Sequence, residues 1–137
     1  MYKKQHKIIM SYYFTKTVTD NFDTAIANVT EQLKKEGFGI LTDIDIQATM
    51  KKKLDVDFKK YRILGACNPG FAYQALLAED KTGTMLPCNV IVQEHENGQV
   101  EVSAVDPVAS MMAITNSELG SVATEVREKL KRVIDNL

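Results

Sequence analysis

Apolar and polar positions along this chain switch repeatedly between strand-like alternation and helix-like spacing. Residues 12–18, YYFTKTV, are aromatic and β-branched and predict a strand. A helix follows, with Asp20 as its N-cap, Phe22, Ile26, Val29 and Leu33 recurring on one face, and Gly37 as the left-handed stop after Lys34 and Lys35. In FGILTDIDI, 38–46, Phe38, Ile40, Ile44 and Ile46 are expected on one face and Gly39, Asp43 and Asp45 on the other, the mark of a strand covered on one side. Met50, Leu54 and Phe58 then continue at helical spacing opposite Lys51, Lys52 and Lys53, which predicts a short amphipathic helix with a solvated basic face.

The second half begins with YRILGAC, 61–67, apolar enough for a central strand. NPGFAYQALLA then has the grammar of a helix start, with Asn68 at the N-cap and Pro69 at the first position, where its missing N–H costs nothing. Pro87 marks the entrance to another strand, and Asn97-Gly98 between two alternating runs is a strong hairpin signal, with His95 exposed beside the turn. Asp106-Pro107 repeats the cap-plus-proline grammar. Ser117 is expected to cap a long final helix whose face carries Leu119, Val122, Ala123, Val126, Leu130, Val133, Ile134 and Leu137, supported by Glu125–Lys129 and Glu128–Arg132 pairs.

Composition limits what this architecture can serve. The 137 residues, 45% hydrophobic and 26% charged, fit a basic N-terminal arm over 1–10, expected to be mobile, and one α+β domain over 11–137. Lys+Arg 17 against Asp+Glu 18 gives a net charge of -1, without the basic excess that would recommend nucleic acid as partner. No apolar run reaches the roughly 20 residues of a membrane span, so the expectation is a cytoplasmic protein with its two cysteines as thiols. His6 in the arm is read as a solvated side chain, Asp43 and Asp45 as outward solvated carboxylates, and Met111 and Met112 as core filler.

Both cysteines stand in a Cys-Asn dipeptide, Cys67-Asn68 and Cys88-Asn89, one closing a strand and the other opening one. If those strands are antiparallel neighbours, the thiols share one edge of the sheet. If they are parallel, a strand length of about 20 Å separates them. The candidate site is therefore a sheet-edge cleft of Cys67, Asn68, Cys88, Asn89 and Asp106, for a small molecule, metal ion or partner. A thiol before a helix N-terminus favours thiolate there, and free N–H groups can hold an anion. Against it, no histidine neighbours either cysteine, and GxxxxGK, GxGxxG, HExxH and CxxC are absent, so no catalytic residue, metal ligand set or cofactor is assigned. In the competing account each residue has a purely structural role, with Asn68 and Asp106 as caps, Gly65 for close packing, and the cysteines as small buried groups. A Cys67–Cys88 redox switch or thiol enzyme, and an interaction module in which the sheet face or the long final helix forms a homodimer or partner surface, remain as further readings.

YRILGACNPGFAYQAL, LPCNVIV and VSAVDPVASM, in that order between a strand-helix-strand opening and a C-terminal helix, resemble the prokaryotic family known as domain of unknown function 302. The resemblance covers roughly residues 11–137. It implies an α+β fold with a mainly antiparallel sheet covered by helices, β-α-β(4)-α with short extra helices, in the manner of the TATA-binding protein, and a homodimer. Gly65, Asn68, Pro69, Pro87, Asn89, Asp106 and Pro107 carry over as family-characteristic positions, without an assigned reaction.

Overall fold

The computed structural model describes residues 11–137, so the N-terminal arm and His6 lie outside the described residues. The chain runs β1 (Tyr13–Val18), α1 (Phe22–Lys35), β2 (Gly39–Asp45), α2 (Ile46–Leu54), β3 (Tyr61–Cys67), α3 (Pro69–Ala78), a 3₁₀ segment (Asp80–Met85), β4 (Cys88–Glu94), β5 (Val100–Val105), α4 (Pro107–Ser110) and α5 (Ser117–Asp135). The five strands form one sheet in the order β1-β5-β4-β3-β2, antiparallel throughout. This is the expected α+β plan, four consecutive strands between two long helices with three short helices added.

Helices α1 and α5 cover one face of the sheet. Val29 and Leu33 of α1 and Leu130 and Val133 of α5 are fully buried against Leu64, Val90, Val92 and Val102. Each such side chain contributes on the order of 1.5–3 kcal/mol by leaving water. Helix α1 ends in a Schellman motif: Phe38 N–H bonds Leu33 O (2.9 Å), Gly37 N–H bonds Lys34 O (3.0 Å), and Gly37 takes φ 88°. Phe38 thereby folds into the core above Leu33. The hairpin between β4 and β5 closes with Gly98 N–H on His95 O (2.8 Å) and Gly98 at φ 85°, the left-handed residue that a three-residue loop requires.

Several local expectations shift. Asn21, not Asp20, caps α1, its side chain accepting from Thr24 N–H at 2.8 Å, while Asp20 accepts from the Asn28 amide. Asn116, not Ser117, caps α5, accepting from Glu118 N–H (3.0 Å) and Leu119 N–H (3.4 Å). In each case two neighbouring residues have capping chemistry, and the one whose oxygen reaches the N–H groups two or three residues ahead takes the role. The register of β2 slips between Ile40, opposite Ala66, and Thr42, opposite Gly65. Leu41 is the extra residue of a bulge, so Ile40 shares the helix-covered face while Ile44 turns to the other. Asp43 and Asp45 do share a face, but they flank Arg62, at 3.1 and 3.9 Å, and Asp45 also caps α2 through Ala48 N–H.

Helix α2 buries none of its residues and stops at Asp55 in the left-handed region (φ 53°), leaving Leu54 and Phe58 exposed and Phe58 outside the helix. The basic ends of α5 turn outward from the anticipated in-helix pairs. Arg132 and Lys129 instead meet Glu36 at the end of α1, at 3.0 and 3.9 Å, which clamps the two long helices together. Lys16 Nζ on β1 donates to Leu137 O at 2.7 Å and fixes the end of α5 to the sheet edge. Among the described residues no helix is long and apolar enough to cross a membrane.

Candidate functional site

The antiparallel pairing of β3 with β4 decides the arrangement of the two Cys-Asn dipeptides. Ala66 stands opposite Cys88 and Gly65 opposite Asn89, so the end of β3 and the start of β4 lie at the same edge. Cys67, one residue past the partner of Cys88, is diagonal to it rather than directly across. Both cysteines are free thiols. Burial pushes the Cys88 thiol up to about 11, and the nearby Cys67 adds to the shift. Cys88 is thus held protonated, the opposite of what a nucleophile or metal ligand needs at neutral pH.

Beside this edge lies a cavity of about 310 Å³. Ala66, Cys67 and Cys88 form its sheet side together with Phe38 and Leu41. Helix α3 supplies Phe71, Ala72, Ala75 and Leu76, and helix α5 faces them with Leu119, Val122, Ala123 and Val126. Leu86, Pro87, Pro107 and Met111 close the remaining side. Small residues on the facing helix surfaces, Ala72 and Ala75 against Ala123, leave the space open where larger side chains would have filled it. Asn68 at the start of α3 is the lining side chain with full hydrogen-bonding capacity. It occupies the N-cap position but caps no helical N–H. Its Nδ2 donates instead to Glu36 O at 3.2 Å, tying the start of α3 to the end of α1.

Of the five candidate residues, the fold therefore brings together Cys67, Asn68 and Cys88. Asn89 lies outside this cavity, on the opposite face of the sheet. Asp106 is buried and occupied: its Oδ1 accepts from Val108 N–H at 3.0 Å as the cap of α4, and its Oδ2 accepts from Arg127 Nε at 3.2 Å. Met111 fills the expected place in the wall, with Thr82 Oγ1 against its sulfur at 4.0 Å, whereas Met112 is 67% exposed and is not core. Among the described residues no three His, Cys, Asp or Glu side chains converge as a metal would require.

Gly65 shapes the edge from within. A Cβ there would overlap Thr42 Oγ1 on β2 and stand 2.8 Å from the Pro87 ring, so the close approach of the three segments depends on its missing side chain. The contributions of Phe71, Ala75, Met111, Leu119 and Ala123 carried no sequence signal beyond ordinary core patterning. They become site residues only because α3 and α5 pack beside the same strand ends.

Comparison with known proteins is consistent in fold and family. The family model described as "Domain of unknown function DUF302" matches residues 14–137. The crystal structure of the uncharacterized conserved protein DUF302 from Bacillus stearothermophilus is similar at 27% sequence identity and a TM-score of 0.85, covering 92% of this chain and 98% of that one. No curated protein matches the chain.

Proposed function

The chain belongs to the DUF302 family, and on that premise we propose that it binds a small, largely apolar molecule in the cavity between the β3–β4 edge, α3 and α5. The observation that carries this reading is an unfilled space of about 310 Å³ whose walls are apolar apart from Asn68 at one end. Apolar cavities well below this size take up small aromatic molecules, and natural ligand pockets begin near this volume. The ligand lies at the small end of the range that natural pockets hold. Asn68, with its Nδ2 committed to Glu36 O, offers its side-chain oxygen as the orienting acceptor. The protonated Cys88 contributes to the wall and not to chemistry.

Indole is a suitable probe. It raises the melting temperature of the protein and shifts the resonances of Phe71 and Met111, and Ala123→Leu, which fills the cavity with apolar volume, abolishes the effect while the protein remains folded by circular dichroism. Indole binding unchanged in Ala123→Leu, or absent from the wild type, would overturn the reading.

A second reading, self-association, is favoured by the outer surface of α3. Tyr73 and Leu77 are 65% and 70% exposed on a helix whose one amide side chain is Gln74 and which carries no charge, an arrangement better suited to contact with a second copy than to water. The face of α5 does not support it, because Leu119, Ala123, Val126, Leu130, Val133 and Ile134 are buried within the chain. Sedimentation at several concentrations checks it: a dimer that Leu77→Glu converts to monomer supports the contact, and a monomer throughout excludes it.

A further inference from the structure

The face of the sheet turned away from α1 and α5 holds a second pocket, of about 430 Å³, with a different chemistry. Tyr12, Tyr13 and Tyr61 line it together with Gln93, Glu101 and Ser103. The Tyr12 and Tyr13 rings meet edge to face, with centroids 5.0 Å apart and planes at 78°.

Glu101 is the charged group of this pocket. Its Oε1 lies 3.0 Å from His95 Nε2, and its Oε2 accepts from Thr15 Oγ1 at 2.9 Å. The hydrogen bond from His95 outweighs burial and, with Thr15, His95 and Lys59, holds the carboxyl below its ordinary value. The carboxylate is therefore ionised at neutral pH. Burial and the nearby Tyr12 push the Tyr61 hydroxyl up, which keeps its ring a neutral phenol with a negative face. One ammonium of the chain already samples this field: Lys59 Nζ stands 5.9 Å over the Tyr61 ring.

A carboxylate among aromatic faces attracts an organic cation, through charge from one side and ring quadrupoles from the other. A bare divalent metal needs several oxygen ligands of high charge, and among the described residues no such cluster exists. A neutral donor hydrogen-bonds to Glu101 but gains nothing from the ring quadrupoles, which select a cation. We propose that this open-face pocket is a binding site for an alkylated or quaternary ammonium group, with Glu101 as counter-ion and Tyr12 and Tyr61 as the ring faces that enclose it. The site is separate from the apolar cavity and does not depend on what that cavity holds.

Choline and its neutral carbon analogue, in which a tert-butyl group replaces the trimethylammonium, test it on the whole chain. Choline shifts the ring resonances of Tyr12 and Tyr61, and the neutral analogue binds about ten-fold more weakly. Glu101→Gln and Tyr12→Leu each weaken choline binding roughly three- to ten-fold. Tyr12 is 68% exposed, so Tyr12→Leu keeps the fold and decides the matter should Glu101→Gln disturb it. No choline-dependent shift, equal binding of the neutral analogue, or undiminished binding by Tyr12→Leu would overturn the assignment.

Discussion

Arg127 of α5 donates its Nε to Asp106 Oδ2 at 3.2 Å, so the residue that caps α4 is also the point where the last helix is pinned to the end of β5. The guanidinium lies 5.4 Å over the Phe14 ring as well, which brings β1 into the same joint. Asp106 is 6% exposed and its partner about one third exposed, so the pair is only partly shielded from water. Its value lies in leaving no buried carboxylate without a partner.

Asp106→Ala removes both the cap and the pair and is expected to lower stability by about 2–3 kcal/mol in urea unfolding. Asp106→Asn retains the capping oxygen and costs about 1 kcal/mol. Indole uptake is unchanged in Asp106→Asn. A loss of uptake with intact stability would make Asp106 a ligand group instead.

Gly65→Ala places a methyl group where Thr42 Oγ1 and the Pro87 ring already stand. Overpacking of this kind costs about 1–3 kcal/mol. Thr42→Ala in the Gly65→Ala background returns part of the loss by opening one side of the clash, and a double-mutant cycle of unfolding free energies reads that coupling directly. Additive effects of the two substitutions would mean the strands do not meet at this point.

Cys67 is partly exposed and Cys88 buried, so a disulfide-exchange reagent labels Cys67 in the folded protein and Cys88 only on unfolding. The thiol of Cys88 rises from about 9 in the unfolded chain to about 11 in the fold. A raised value stabilises the fold fully below pH 9, and the contribution is lost as pH climbs through 11. Two pH units correspond to roughly 2–3 kcal/mol. Because lysines and tyrosines titrate over the same range, the measurement is the difference between wild type and Cys88→Ala, whose stability lacks this component of the alkaline decline. Parallel curves for the two proteins would remove burial as the cause.

What the amino-acid order determined was short in range. The Schellman stop at Gly37, the first-turn prolines Pro69 and Pro107, the Asn97-Gly98 hairpin and the apolar face of α5 each depend on residues within a turn or two of one another, so their chemistry can be read along the chain. Even there, a neighbouring pair of capping residues left Asn21 and Asn116 indistinguishable from Asp20 and Ser117 until the N–H groups were in place. The tertiary structure decided everything that required distant segments to meet. The bulge at Leu41 inverted the faces of β2 because one inserted residue reverses every later side chain in a strand. The antiparallel register of β3 and β4 brought Cys67 and Cys88 to one edge and sent Asn89 to the other face. The cavity exists because α3 and α5 present alanines to each other over that edge, and the Glu101 pocket because β1, β3, β4 and β5 lie side by side beneath Tyr12. Volume and concavity arise from packing between elements, and no periodicity within a single element encodes them.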